Sequence, residues 1–294
     1  MKVAIYGQKY KEETKPYLTK LLKHLKKKGI KVVFEFHYYY QLKEHIDEKD
    51  SFETFLNHED LPADTKYFIT IGGDGTILRA ITYVRDSNIP IIGINTGRLG
   101  FLSTIQKYEI KNAIDRLLSE EYRIIERSVL SLRLTPEVLD AEDFQYAINE
   151  ITVSRKNTTS MITVNTYLDD EFLTSYWADG LIIATPTGST SYSMSCGGPI
   201  LMPQAKNIVL TPIAPHNLNT RPLIIPNDTK IKLTVNGHEN LFLISLDSRV
   251  TTINNQTEIY IEKAPFTIKT IEMEGQSFFK TLRSKLLWGE DTRN

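Results

Sequence analysis

The first hundred residues alternate between two kinds of hydrophobic pattern, and that alternation narrows the fold more than any single motif does. Lys2 to Gly7 reads as a short apolar strand. After it Tyr17, Leu18, Leu21, Leu22 and Leu25 recur at helical spacing, with Thr14 placed to cap the helix and Gly29 placed to end it. Ile30 to Phe36 is rich in β-branched and aromatic residues and predicts a second strand. Tyr67 to Ile71 and Ile89 to Ile94 predict two more, with a helical stretch over Thr76 to Arg85 between them. Strands separated by helices pair in parallel, because each helix carries the chain back across the sheet. The expectation is an N-terminal α/β domain with a parallel sheet.

Beyond a helical segment near Lys107 to Leu118 the pattern changes. Short strands are predicted at Ser128 to Leu134, Gln145 to Val153, Ile162 to Leu168, Phe172 to Tyr176 and Leu181 to Thr185. More follow at Leu223 to Ile225, Ile231 to Val235, Leu241 to Leu246 and Ile259 to Ile261. Asp169-Asp170-Glu171 between two alternating runs reads as a hairpin turn in preference to a pair of metal ligands. Ser277 to Trp288 is helical again, with one apolar face, and is expected to return to the N-terminal layer rather than to bind a membrane or partner. A chain of 294 residues exceeds one modal domain. The expected division is an α/β domain over residues 1–110, joined by a C-terminal helix over 274–294, and a β-rich C-terminal domain over 111–273.

Charge excludes several classes of partner. The chain has 35 Lys plus Arg against 36 Asp plus Glu, which gives no global pull toward nucleic acid or anionic lipid. Lys26, Lys27 and Lys28 end the first helix, where cations complement its dipole on a solvated face. Apolar runs such as Gly180 to Ala184 are far shorter than the roughly 18 residues of a membrane span. The opening residues lack the apolar region of a secretory signal, and the one cysteine, Cys196, forms no internal disulfide. A cytoplasmic location is the default expectation. The 6 histidines show no paired zinc-ligand spacing, so no metal site is assigned to protein side chains.

The sharpest local signal is Ile69-Thr-Ile-Gly72-Gly73-Asp74-Gly75-Thr76, a strand running through a glycine turn into a helix. Glycines allow an anion to approach the backbone, and the helix start adds partial positive charge, so Gly72, Gly73, Gly75 and Thr76 are candidate phosphate contacts. Arg79, one turn further on, is another. The run is neither a Walker A loop nor a Rossmann fingerprint, since no Gly-Lys-Ser/Thr and no G-x-G-x-x-G is present. Asp74 would repel phosphate oxygens unless it has a separate task, such as binding a hydroxyl. Thr185 to Ser193 places many hydroxyls and one glycine after a buried strand, a set suited to ribose, amide and phosphate oxygens.

The glycine turn is shared by several kinase groups, but the further matches resemble the NAD kinases. They are Asn95-Thr-Gly-Arg-Leu-Gly-Phe-Leu102, Asn149-Glu150, Asp179 through Ser193 and Gly197-Gly-Pro-Ile200, in that order. The resemblance runs from the first strand to Leu286-Leu-Trp288. It implies ATP-dependent phosphorylation of the adenosine 2′-hydroxyl of NAD, with Mg²⁺ or another divalent cation accompanying ATP, NAD held between an α/β and a β-rich domain, and a homodimer or homotetramer. By position, Asp74 matches the general base, and Asp74 with Gly75 lies at the reacting ribose. Asn149 and Glu150 match the pair that holds adenosine, and Asp179 the acid reaching the nicotinamide side. Thr190, Ser191, Tyr192, Ser193, Met194 and Ser195 match the loop lining the dinucleotide, with Ala184 and Thr187 in the same region.

Some positions depart from the family. Trp177 stands where many relatives have a polar or basic group and Ser160 where a larger polar side chain is common, which bears on dinucleotide contacts but not on the reaction. Arg249 stands where glutamine is common; it either contacts ligand across a subunit boundary or pairs with Asp247 in a hairpin. Cys196 reads as a small buried side chain rather than a reactive thiol. Two other functions share parts of the pattern: a lipid kinase with the same glycine turn, which leaves Asp179 to Ser193 without a role, and a non-catalytic dinucleotide-binding protein, against which Asp74 argues.

Overall fold

The computed structural model describes residues 1–46, 51–137, 145–157 and 159–287. Contacts divide the chain into two units, Met1–Glu126 with Ile268–Asn294, and Arg127–Thr267. The first unit therefore takes in the helix Ile110–Leu118 and most of the strand Tyr122–Arg127, which lie beyond the division expected at residue 110.

The sheet of the first unit contains β1 (Lys2–Tyr6), β2 (Lys31–Glu35), β3 (Glu53–Phe55), β4 (Thr65–Ile71), β5 (Ile91–Asn95), β6 (Ile105–Gln106) and β7 (Tyr122–Arg127). One more strand comes from the far end of the chain, Ile268–Met273, which is β20 in chain order. The order is β3-β2-β1-β4-β5-β20-β7, with β6 also on β5. Strands β1 to β5 pair in parallel. β4 and β5 are buried almost throughout, as a parallel strand covered on both faces must be. Helices α1 (Lys15–Lys27), α2 (Phe36–Leu42), α3 (Asp74–Val84), α4 (Ile110–Leu118) and, at the C-terminal end, α6 (Phe278–Leu286) belong to this unit, and the short α5 (Tyr192–Ser195) belongs to the other. Leu18, Leu21 and Leu25 of α1 share a core cluster with Ile114 and Leu117 of α4 and with Ile5, Ile69 and Ile92 of the sheet.

Three local expectations are corrected here. The Thr14 side chain makes no cap; its hydroxyl donates to the Lys11 carbonyl, and Pro16 stands in the first turn of α1. The second strand stops at Glu35, because the Glu35 carboxylate accepts from the amides of His37 (3.1 Å) and Tyr38 (2.8 Å) and so caps α2. Phe36 begins that helix instead of ending the strand. β20 was not anticipated, although Ile268, Ile271 and Met273 are its buried hydrophobic residues. The C-terminal helix is present, started by the Ser277 hydroxyl accepting from the Lys280 amide, and its Phe278 ring lies 6.2 Å from that of Phe101. Trp288 lies outside the described residues.

The second unit is a pair of six-stranded sheets. One runs β15 (Leu223–Pro226), β14 (Asn207–Ile213), β13 (Gly180–Ala184), β10 (Glu150–Arg155), β17 (Leu241–Leu246) and β18 (Arg249–Asn254). The other runs β12 (Glu171–Ala178), β11 (Ile162–Leu168), β16 (Ile231–Asn236), β19 (Glu258–Lys263), β8 (Leu130–Thr135) and β9 (Tyr146–Ala147). Pairing is antiparallel, and one core cluster draws Ile151, Val153, Leu181 and Ile244 from the first sheet and Val164, Leu233 and Ile259 from the second. The other face of β13 is covered as well, since Ile182, Ala184 and Val209 pack with Cys196, Leu201 and Ile213. That double burial is why Leu181 to Ala184 reads as an unbroken apolar run. The Asp169-Asp170 turn has φ of 49° and 68° and joins the paired Leu168 and Glu171, as a two-residue hairpin requires.

Candidate active site

In the first unit the site grows from the end of β4. A Cβ on Gly72 would lie 2.1 Å from the Thr76 hydroxyl oxygen, so only glycine lets Thr76 fold back over the turn. Around Gly73 and Gly75 the space a Cβ would enter is open. The backbone there is approachable, although the Thr76 amide already donates to the Gly73 carbonyl at 3.0 Å. The Asp74 carboxylate is held from the opposite side. Its Oδ2 accepts from the Phe101 amide at 2.7 Å, and its Oδ1 accepts from the amides of Leu102 at 3.0 Å and Ser103 at 2.8 Å.

The loop that supplies those amides is itself braced. Asn95, 1% exposed, donates to the carbonyls of Arg98 (2.7 Å) and Ser103 (3.1 Å) and accepts from the Gly97 amide (2.7 Å). The Ser103 hydroxyl donates to the Gly72 carbonyl at 3.0 Å, tying this loop to the glycine turn. Gly100 cannot carry a side chain, because a Cβ would fall 1.9 Å from the Asp74 Oδ1. Asp74, in the glycine turn, is thus fixed by a loop 27 to 29 residues further along the chain. Arg79 lies near Tyr6 and Tyr83, and its charge opposes the upward push of burial on both hydroxyls.

In the second unit the expected strand Gln145 to Val153 is broken into β9 and β10, and the break falls at Ile148-Asn149. Asn149 and Glu150 are each 7% exposed. The amides of Ile148, Asn149 and Glu150 all donate to the Asp247 carboxylate, at 3.1, 2.8 and 3.2 Å. On the other side the Thr185 amide donates to the Asn149 carbonyl at 2.9 Å. A Cβ on Gly188 would come within 2.1 Å of that same carbonyl oxygen. The Glu150 Oε1 accepts from the Ser191 hydroxyl at 3.3 Å, whereas its Oε2 and the Asn149 Oδ1 are buried with no partner.

Electrostatics follow from that burial. Desolvation, aided by the charge of Asp247 and opposed by the Ser191 hydrogen bond, pushes the Glu150 carboxyl up to about 8. Asp247 is pushed up to about 6 by burial, against the three amides and the charge of Arg249. Glu150 is consequently a neutral acid near pH 7, able to donate as well as accept.

Models of the ATP-NAD kinase N-terminal and C-terminal domains match residues 3–122 and 148–273. The chain belongs to the NAD kinase family. The NAD kinase of Flavobacterium psychrophilum is 52% identical over 294 residues, 100% of both chains. Yeast NADH kinase, solved with NADH, has the same fold at a TM-score of 0.88 and 24% identity, over 100% of this chain and 89% of that one. The NAD kinase of Archaeoglobus fulgidus, solved with ATP, gives 0.76 and 24% over 98% of this chain and 99% of the other. The C-terminal family match includes Asp179 to Ser193, the run that a lipid kinase leaves without a role.

The positions that resemble other NAD kinases are not equally available. Asp179 is paired with Arg155, Nη2 to Oδ2 at 3.1 Å, a partner the motif did not indicate. Tyr192 is exposed and Ser191 reaches Glu150, but Ser193 turns inward, fully buried, with its hydroxyl 2.8 Å from that of Thr211. Ala184 packs its methyl in the small cluster beneath the loop, which leaves its backbone as the only part able to meet a ligand. Thr187 accepts from Arg127 at 3.3 Å, and the Thr190 hydroxyl donates to the Thr187 carbonyl at 3.1 Å. Met194 is half-buried and Ser195 exposed. Trp177 is 52% exposed, its ring 4.2 Å from that of His216. Ser160 is exposed. Arg249 is buried and donates to the Tyr146 carbonyl within its own unit. Sequence reasoning missed Asp247 and Arg155, because an acid in a hairpin and an arginine on a strand carry no local signature. Cys196 is half-buried with its thiol pushed up by desolvation.

Proposed function

We propose that this NAD kinase transfers the γ-phosphoryl group of ATP to the 2′-hydroxyl on the adenosine of NAD, giving NADP and ADP. The observation that carries the reading is the Asp74 carboxylate, set at the tip of β4 by three backbone amides. A carboxylate offers about four acceptor directions, so three amides leave room for one hydroxyl. Asp74 then accepts from the 2′-hydroxyl and aims its oxygen in line with the phosphorus. Phosphoryl transfer passes through a loose transition state, so the nucleophile can lose its proton late, and orientation matters more than a strong base.

The open backbone at Gly73 and Gly75, with Thr76 behind it, supports phosphate binding at the start of α3. The divalent cation is part of the substrate, carried on the phosphates of ATP; Mg²⁺ lowers their repulsion as they meet the turn. Asn149 and Glu150 hold the adenosine, Asp179 reaches the nicotinamide side, and Ser191 and Tyr192 line the dinucleotide. A cytoplasmic homodimer or homotetramer completes the reading, and sedimentation velocity tests the assembly. The reaction itself is tested with purified protein, NAD, Mg-ATP and an NADP-specific dehydrogenase. Reducible NADP should form, and a panel with ATP and polyphosphate identifies the donor. No NADP with any donor would overturn the assignment.

A further inference from the structure

Asp247 lies outside every motif that pointed to the function. It is the first of two residues joining β17 to β18, and its φ of 53° is in the left-handed region, where a side chain is disfavoured. Glycine or asparagine would stand there at lower cost. The carboxylate explains the acid. It closes on three consecutive amides, those of Ile148, Asn149 and Glu150, and the Asp247 amide donates to the Glu150 carbonyl at 3.0 Å. These residues are where the chain leaves β9 and enters β10, so the sheet ladder alone does not fix them. The Asn149 Oδ1 and the Glu150 Oε2 are buried and unpartnered. Each such atom carries an uncompensated desolvation cost until something bonds it. A pinned backbone that carries two buried, unpaired side-chain oxygens is preorganised for a ligand.

We propose that Asp247 is a positioning residue of the NAD kinase reaction, pinning the Ile148–Glu150 backbone so that the Asn149 amide and the Glu150 carboxyl meet the dinucleotide already in place. This rests on the reading that Asn149 and Glu150 hold the adenosine. A second effect follows from the same contact. The groups facing the Glu150 carboxyl are Asp247, whose charge opposes its ionisation, the Ser191 hydroxyl, which favours it, and Tyr192, which has Asp179 beyond it; Arg249 faces Asp247. While Glu150 is neutral it donates its O–H to a ribose oxygen of NAD. On the alkaline side that donor is lost, and NAD binding weakens.

The test compares wild type, Asp247→Asn, Asn149→Ala and Glu150→Gln, measuring kcat and the KM for NAD across roughly pH 6 to 9.5. Asp247→Asn is expected to raise the NAD KM about tenfold with kcat within about threefold. The alkaline fall in kcat/KM should move to lower pH, because the charge opposing Glu150 ionisation is gone, and it should vanish in Glu150→Gln. If Asp247→Asn does not fold, Asp247→Glu keeps the charge while displacing its oxygens, and should raise the NAD KM with the alkaline limb left in place. An unchanged NAD KM in the Asp247 variant beside a raised one in Asn149→Ala overturns the proposal and leaves the adenosine reading standing. An alkaline limb that stays put in Asp247→Asn also overturns it, reducing Asp247 to scaffold. Unchanged NAD KM values in both Asn149→Ala and Glu150→Gln overturn the adenosine reading beneath it.

Discussion

Replacing Glu150 by glutamine keeps the side-chain shape and removes one proton equilibrium, and the structure gives the consequence for stability a sign and a size. In the unfolded chain this carboxyl ionises near 4.5, whereas in the native protein burial and the neighbouring Asp247 push it up to about 8. Between those two values the native state keeps a proton that the unfolded chain has released. Native stability from this group is therefore untouched below about pH 4.5 and is lost as pH rises toward 8, at about 1.4 kcal/mol per pH unit. Over the whole window the loss is bounded at roughly 5 kcal/mol, and relaxation of the hairpin around the ionised pair reduces it. Glutamine does not titrate, so the variant should gain on wild type steadily through the window and level off above it. Urea unfolding of both proteins without NAD, at half-unit steps of pH, reads the difference directly. A difference flat to within about 1 kcal/mol from pH 5 to 9 would refute the reasoning, because it would mean that the carboxyl ionises as it does in water.

Other perturbations test the remaining contacts. Asp74→Asn turns an amide nitrogen toward amide donors, so NADP formation should fall about 10²- to 10⁴-fold in the coupled assay, with stability lower by about 1–3 kcal/mol in urea. Gly100→Ala places a Cβ 1.9 Å from the Asp74 Oδ1, so the carboxylate must shift; kcat should drop more than the NAD KM rises. Gly188→Ala drives a Cβ against the Asn149 carbonyl, where backbone must yield. It should cost about 1–3 kcal/mol in urea and raise the NAD KM, and a variant as stable and active as wild type would remove Asn149 from the site.

Local chemistry made much of this protein readable without coordinates. Helical spacing placed α1, α3, α4 and α6 within a few residues of where they lie, and the double-acid turn placed the β11–β12 hairpin. The glycine turn announced an anion site because backbone geometry and helix polarity are properties of adjacent residues. Tertiary structure decided what depends on residues distant in sequence. Phe36 became helical because Glu35 found two amides to cap, and Ile268–Met273 became an interior strand because the first sheet offered a place between β5 and β7. The two candidate carboxylates, one in each unit, follow the same division. Asp74 and Glu150 could be picked out by motif, but the Phe101–Ser103 amides that hold the first and the Asp247 that braces the second come from loops 27 and 97 residues away. Pattern along the chain encodes propensity and periodicity, whereas the charge a buried acid carries depends on which distant groups folding sets against it.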